Sequence, residues 1–415
     1  MIRSCNHSIY FLNPDKRKSY DSFLNEYRRI SSIIGTSIWN DGYKNFNISS
    51  DNLELSKYLD YNDFNLDTWL SARTLSSIVT QISGIIRGAV KIRKGKLFML
   101  NKLKEENKLF KNLQNVLDKT PLTIPDFIKI NPELSSKNMD FQNGNHFDLF
   151  VAVKCIGLKK ITIPIKKHRL DIKWQKRGKL LGSVCLTDKN ITFRYDVEPE
   201  DNDGYKVVGG DQGKTDILNL SDGQVTKKVD IHNHSLDSIL DILSKKKKGS
   251  KGFKRTVRQR RNFINWTINQ LNFSDIKELK LEKIFNITYK KNVSRKMSHW
   301  TNTIIRDKVM RKCEETKVLF TQVDSTYNSQ QCPECYLLRK SNRNGKLFKC
   351  KGCGYEADAD QNGAYNVEHR SEFPDLGYGF RNKRLNLGKG FYWKPSGVFT
   401  FKGEDLKVPH TNTKE

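Results

Sequence analysis

Cys350-Lys351-Gly352-Cys353-Gly354-Tyr355-Glu356-Ala357-Asp358-Ala359-Asp360-Gln361-Asn362-Gly363-Ala364 is a cysteine knuckle that runs directly into an acidic helix start. Its first half has a partner upstream in Cys332-Pro333-Glu334-Cys335, a second C-x2-C knuckle separated from it by 14 residues. Four thiolates at that spacing can meet around one tetrahedral ion, each knuckle supplying two sulfurs from one tight turn. With Cys332, Cys335, Cys350 and Cys353 filling every position, no place is left for water, so the expected zinc holds the fold and does no chemistry. Cys5, Cys155, Cys185 and Cys313 are scattered and read as small buried hydrophobes of a reducing compartment.

The second half of the segment puts Asp360 at a helix start, where a carboxylate is favourable beside free amides. Two more acids stand at the ends of apolar strands. Asp211 follows Val207-Val208 in Gly209-Gly210-Asp211-Gln212-Gly213, ahead of a hairpin turned by Ser221-Asp222-Gly223; Glu282 closes the strand through Ile276 to Leu281. Phosphodiester hydrolysis without a covalent intermediate uses two divalent ions roughly 4 Å apart. Hard oxygen ligands suit magnesium, and at least three carboxylates must converge to hold the pair. Either aspartate alone is more often a turn former or helix cap. The order of parts is more specific: strand and Asp, hairpin, basic helix, strand and Glu, helix, zinc knuckles, then Asp at a helix start. Asp358 is the nearest rival to Asp360.

The whole chain sets the partner class. At 415 residues it is too long for one core. Lys+Arg 74 against Asp+Glu 46 gives a net charge of +28 while 36% of residues remain apolar, so the chain folds yet calls for a polyanion. The basic residues also run together, at 245–248 and 255–261. No stretch approaches the roughly 20 apolar residues that span a bilayer, and the first residues lack an apolar signal core. No membrane role is expected, and the protein should stay inside the cell.

Residues 1–13 read as a strand, and helical spacing runs from Tyr20 to about Leu117, through Phe23, Tyr27, Ile30 and Ile33 and then Trp69, Leu75, Ile78, Ile82 and Ile85. Residues 147–197 switch to a period near two, predicting four or more short strands of a small barrel. The simplest topology lets the first strand complete that barrel, with the helical module inserted. The segment 198–205 is a linker, and a basic helix spans about 254–271. After Arg370 the tail is rich in Gly, aromatic and basic residues, and no fold is imposed on it.

These features resemble TnpB, the transposon-associated RNA-guided nuclease, and the related type V CRISPR effectors. The resemblance rests on Gly210-Asp211-Gln212-Gly213, Leu281-Glu282, Tyr327-Asn328-Ser329-Gln330-Gln331-Cys332-Pro333-Glu334-Cys335, Asn342-Arg343, Phe348-Lys349-Cys350 and the segment 353–364, within residues 207–369. It implies a multidomain α+β chain: the first strand of a β-barrel wedge domain at 1–13, a helical recognition lobe at 14–125, and the rest of the barrel at 126–200. A RuvC-like nuclease domain of RNase H fold would follow at 201–325, interrupted by a zinc ribbon at 326–356, resumed at 357–370, and followed by the tail at 371–415. The implied activity is RNA-guided endonucleolytic cutting of double-stranded DNA. Asp211, Glu282 and Asp360 would hold two magnesium ions, with manganese as the alternative, and Arg343 would stand near the scissile phosphate. Cofactors are thus two magnesium ions, one structural zinc and a guide RNA.

Sequence choice would come from guide pairing, with the protein reading a short flanking duplex motif. Ser77 and Gln81, one helical turn apart, are candidates for that reading. Arg255, Arg258, Arg260 and Arg261, beside Trp266, and Lys166, Lys167 and Arg169, with Lys159, Lys160 and His168, are candidates for backbone contacts. The family's first acid commonly follows an apolar residue where this chain has Gly210, and its threonine before Ser329-Gln330 is here Asn328. A nuclease-inactive RNA-guided repressor is the main alternative. A zinc-ribbon DNA-binding factor leaves the three acids unexplained, and a DDE transposase would join strands as well as cut. The expected location is the cytoplasm at the nucleoid, or the nucleus of a eukaryotic source.

Overall fold

The computed structural model describes residues 1–42, 60–103, 105, 108–119, 124–154, 160–213, 215–284, 294–296, 299, 302–374 and 388–400. The chain forms two compact units, Met1–Glu198 and Pro199–Glu415.

In the first unit, β1 (Ile2–Ser8) pairs with a strand that lies nearly the whole unit away in sequence. Pro14 sits in the first helical turn after the cap Asn13, whose side chain accepts from the Lys16 amide, and so α1 (Pro14–Ser37) starts where β1 has ended. Helices α2 (Ala72–Asn101) and α3 (Lys108–Lys119) follow. One face of α1 buries Tyr20, Phe23, Tyr27, Ile30 and Ile34, and α2 buries Leu75, Ile78, Ile82 and Ile86 against the same core. Then come β2 (Glu133–Ser135), β3 (Met139–Gln142), β4 (Leu149–Val153), β5 (Ile161–Ile165), α4 (Arg169–Arg177), β6 (Gly178–Leu186) and β7 (Asn190–Val197). All pairings are antiparallel, in two sheets of order β1-β7-β6-β2 and β3-β4-β5. The alternation expected at 147–197 is present, since Val151, Val153, Ile161, Ile163, Ile191, Phe193 and Tyr195 are buried. The strands hydrogen-bond as two sheets where the sequence predicts one small barrel. Helix α4 is also absent from the sequence reading. It buries only Asp171 and Trp174, too few positions to print a helical period, and Asp171 is held by the Tyr195 hydroxyl at 2.5 Å.

The second unit is built on a four-stranded sheet of order β11-β10-β8-β9, from β8 (Lys206–Asp211), β9 (Asn219–Leu220), β10 (Ile276–Lys283) and β11 (Leu319–Asp324). Strands β8, β10 and β11 are parallel, which requires crossover connections. Helices α5 (Leu236–Lys245) and α6 (Lys251–Asn269) connect β8 and β9 to β10, and α7 (Asn302–Glu315) connects β10 to β11. Short strands β12 (Leu337–Leu338), β13 (Arg343–Asn344), β14 (Leu347–Lys349) and β15 (Glu356–Asp358) carry the knuckles and lead into α8 (Ala359–His369).

The tail is not wholly irregular. Strands β16 (Phe391–Lys394) and β17 (Gly397–Thr400) form a hairpin on β12, and Phe391, Trp393 and Val398 make a small core with Leu338. Glycine and basic residues around it mask this short apolar alternation in the composition. No helix among the described residues is long and apolar enough to cross a membrane.

Candidate active site and metal centre

The two knuckles are built alike. In the first, the Tyr336 amide donates to the Cys332 carbonyl (3.0 Å); in the second, the Gly354 amide donates to that of Cys350 (3.2 Å). Tyr336 (φ 63°) and Gly354 (φ 81°) both take the left-handed conformation that closes such a turn. Glycine adopts it freely, whereas Tyr336 does so at roughly 1–2 kcal/mol. The turns bring Cys332 Sγ to 3.6 Å from Cys353 Sγ and Cys335 Sγ to 3.5 Å from Cys350 Sγ. All four sulfurs lie within 4.8 Å of one another. Zinc–sulfur bonds of about 2.3 Å give a tetrahedron with edges of about 3.8 Å, so the donor set fits one zinc with little adjustment. Burial pushes the Cys335 thiol up to about 11, and a bound cation would relieve that cost.

The carboxylates gather at the carboxyl end of the sheet. Gly210 stands beside Leu281 in the parallel register, so Asp211 and Glu282 terminate neighbouring strands. A Cβ on Gly210 would come within 3.1 Å of Leu281 and 3.2 Å of Leu218, which accounts for the glycine before the first acid. The Gln212 amide donates to Glu282 Oε1 at 2.6 Å and its side chain to the Glu282 carbonyl at 3.1 Å, holding the glutamate in place. Helix α8 then lies across β8 at a distance only glycine permits. A Cβ on Gly209 would meet the Ala364 carbonyl oxygen at 2.1 Å and the Glu368 nitrogen at 2.4 Å; one on Gly363 would meet Asp211 Oδ1 at 3.0 Å. Asp360 lies one turn before Gly363 on that helix.

Asp358 and Asp360 divide two roles that the sequence leaves open. Asp358 is the helix cap, its Oδ1 accepting from the amides of Asp360 (2.9 Å) and Gln361 (3.1 Å), and it is exposed. Asp360 is buried, as are Asp211 and Glu282. Burial first, and then the charge of Asp360, push the Asp211 carboxyl up to about 7. Burial and the charge of Asp211 likewise raise Glu282 well above the usual carboxylate range. No described residue gives the Asp211 side chain a hydrogen bond. Three buried, mutually repelling oxygen donors are a site that a hard divalent cation would stabilise.

Three consequences can be measured. Without divalent ions, Asp211 in the folded protein gives up its proton at a higher pH than in the unfolded chain. The folded state therefore loses stability as pH rises from about 4 to about 7. The unfolding midpoint of zinc-loaded protein is expected to rise on magnesium addition at pH 7.5 by several degrees more than at pH 5, and Asp211→Asn should reduce the difference. Equal stabilisation at both pH values would count against the site. Gly363→Ala, which crowds a carboxylate oxygen and not a backbone atom, should weaken divalent-ion binding about 10- to 100-fold with little change in melting. Gly209→Ala, pressed against the backbone of α8, should cost about 3 kcal/mol of stability in the second unit, read by denaturant unfolding.

Arg343 reaches the cluster from β13, its Nη2 donating to Asp360 Oδ1 at 3.2 Å. Two further residues, missed in the sequence, complete it: Lys346 donates to Asp360 Oδ2 and to Asp216 Oδ2, the latter at 2.7 Å. A lysine is unremarked in so basic a chain. The only local signal is Gly345 (φ 59°), which turns the hairpin back toward the acids. Asn328, in place of the family's threonine, is buried and accepts from Arg370 Nε at 3.0 Å and Nη2 at 2.5 Å.

The candidate nucleic-acid residues separate by environment. Arg255, Arg258 and Arg261 are exposed along α6, whose other face buries Thr256, Phe263, Ile264 and Ile268. Arg260 is instead buried and donates to the His299 carbonyl at 2.5 Å, so it braces the helix and is unavailable to a ligand. Lys166 and Arg169 are exposed. Lys167 bonds Asp148 and Gln175, Lys160 pairs with Asp140, and His168 lies 3.3 Å from the Asn6 carbonyl. Lys159 lies outside the described residues.

Ser77 and Gln81 line an open groove of about 560 Å³ with Arg73, Ser76, Thr80 and Lys137. Gln81 is engaged at both ends, accepting from the Tyr27 hydroxyl (2.8 Å) and donating to the Asn131 carbonyl (2.8 Å), while Ser77 donates to Arg73 and accepts from Asn138. Gln81 therefore ties α1 and α2 to the segment before β2.

Comparison with known proteins locates this arrangement. Residues 304–367 match the family model described as Cas12f1-like, TNB domain. The chain is 41% identical over 75 residues to the CRISPR-associated endodeoxyribonuclease Cas12f1 of Sulfoacidibacillus thermotolerans, covering 18% of each chain. It is 30% identical over 63 residues to the protein of the same name from Syntrophomonas palmitatica, covering 15% of this chain and 13% of that one. These alignments span less than a fifth of the curated relatives. The fold is similar over far more of the chain. A Cas12f1–sgRNA–target DNA complex superposes with a TM-score of 0.54 at 14% identity, covering 85% of this chain and 82% of that one. The mini-RNA-guided endonuclease CRISPR-Cas_phi3 gives 0.52 at 10% identity, covering 89% and 92%. The class is thus a mixed α/β multidomain fold similar to the Cas12f and Cas-phi effectors. The stretch that matches the family model holds the cysteine knuckles and most of α8.

Proposed function

We propose that the protein is an RNA-guided DNA endonuclease that cuts target double-stranded DNA by magnesium-dependent hydrolysis in a RuvC-like site. The observation that carries this reading is the meeting of Asp211, Glu282 and Asp360 at the ends of β8 and β10 and the start of α8. Two magnesium ions held by these acids would activate the attacking water and stabilise the leaving oxygen. The chain's own part is to hold the donors still. Gln212 fixes Glu282, Gly209 and Gly363 set the helix on the strand, and the ribbon turn presents the Arg343 guanidinium to an incoming phosphate.

On this reading the zinc ribbon is a structural neighbour of the reacting site, and the sheets and helices of the first unit form the wedge and recognition lobe that handle guide and target. The exposed arginines of α6 and the exposed Lys166 and Arg169 supply backbone contacts. A protein of this kind works at the nucleoid, or in the nucleus of a eukaryotic source.

The test is to purify the full chain from its native locus, sequence the RNA that accompanies it, and challenge the complex with a matching target beside a randomised flank. Magnesium-dependent cutting confined to matched targets is expected. Absence of any bound RNA would defeat guidance, binding without cutting would leave a repressor, and joined strands would indicate a transposase.

A further inference from the structure

Among the three acids, Asp360 is the one already neutralised from within. Its Oδ1 takes Arg343 and its Oδ2 takes Lys346, whereas Glu282 takes a backbone amide. A carboxylate can ligate a divalent ion only by turning an oxygen lone pair onto it, so an ammonium on that oxygen competes with the metal. The lysine also has somewhere else to go. Asp216, buried and outside the triad, already accepts from it at 2.7 Å and lies 3.4 Å from Lys228. Lys346 is half exposed, on a flexible four-carbon stem with three rotatable donors. Its backbone stays put throughout, because its carbonyl accepts from the Ala359 amide at 2.7 Å, at the first residue of α8.

We propose that Lys346 is an internal counterion of Asp360, displaced onto Asp216 when a divalent ion takes up the carboxylate. The inference deepens the nuclease reading and rests on the three acids being metal ligands. It makes the turn of the zinc ribbon part of the metal-loading equilibrium. Removing the lysine favours the ion, and removing its alternative partner favours the lysine.

The test is manganese binding to the zinc-loaded full chain, followed by the paramagnetic resonance of free Mn2+. Lys346→Met is expected to tighten binding about 5- to 20-fold, and Asp216→Asn to weaken it by a similar factor. In the double variant the Asp216 effect should shrink to less than about 2-fold. Lys228→Met, which removes a nearby charge that does not touch Asp360, should shift binding by less than about 2-fold. Lys346→Arg, retaining the charge, should bind manganese as the parent does and controls for folding. Unchanged or weaker binding in Lys346→Met, or an equal gain in Lys228→Met, overturns the displacement. Binding that Asp211→Asn leaves untouched overturns the metal-ligand reading beneath it, and the displacement with it.

Discussion

Asp211→Asn is expected to lose guided DNA cutting by on the order of 10³-fold or more while melting no lower than the parent in the absence of divalent ions at pH 7.5. The combination matters. A buried aspartate with a structural role lowers stability when its charge is removed, because its partners are left unpaired. Asp211 has the opposite environment: burial and the Asp360 charge push its carboxyl up to about 7, and no described residue hydrogen-bonds it. Neutralising it therefore removes a repulsion. Glu282→Gln and Asp360→Asn should be equally inactive, but Asp360→Asn should gain no stability, since it surrenders the contacts to Arg343 and Lys346. Guide RNA binding, measured by filter retention, should survive in all three. A variant that still cuts at more than about one tenth of the parent rate would remove its residue from the site.

Replacing Cys335 by Ser, or stripping zinc, should be nearly as damaging by a different route. Structural zinc contributes roughly 10–16 kcal/mol of apparent folding free energy to small Cys-rich modules, and the ribbon core holds little else than Leu337, Phe348 and Ala359. Its loss frees the β13–β14 turn, and with it Arg343, Lys346 and the Lys346–Ala359 hydrogen bond at the head of α8. Asp360 then loses its place although none of the three acids has been touched. Amide exchange should rise sharply across 328–360 and stay low in β8 and β10, and cutting should fall at least about 100-fold. Retained cutting after verified zinc loss would separate ribbon from active site.

Much of this site can be read before folding is considered. The knuckles, the strand-ending acids at 211 and 282 and the helix start near 360 each follow from a few adjacent residues. What could not be read is contact between distant segments. Arg260 stands in a run of arginines that looks uniformly solvent-facing, but helix phase turns it inward to His299 while Arg258 and Arg261 face out. Gln81 looks like a groove reader one turn from Ser77, yet Tyr27 and Asn131, 54 and 50 residues away, occupy its amide. The first-unit strands show their alternation, but nothing in a period of two says whether they close as one barrel or divide into two sheets.

By itself, then, the order of residues determined the two cysteine knuckles and the strands that end in acid, because turns and periodicity act over a few residues. Tertiary structure decided which of Asp358 and Asp360 faces Asp211, why positions 209 and 363 must be glycine, and that Lys346 and Asp216, 130 residues apart, share one ion pair. Those choices depend on how closely a helix lies on a strand and which charge a turn delivers, and packing across the chain sets both.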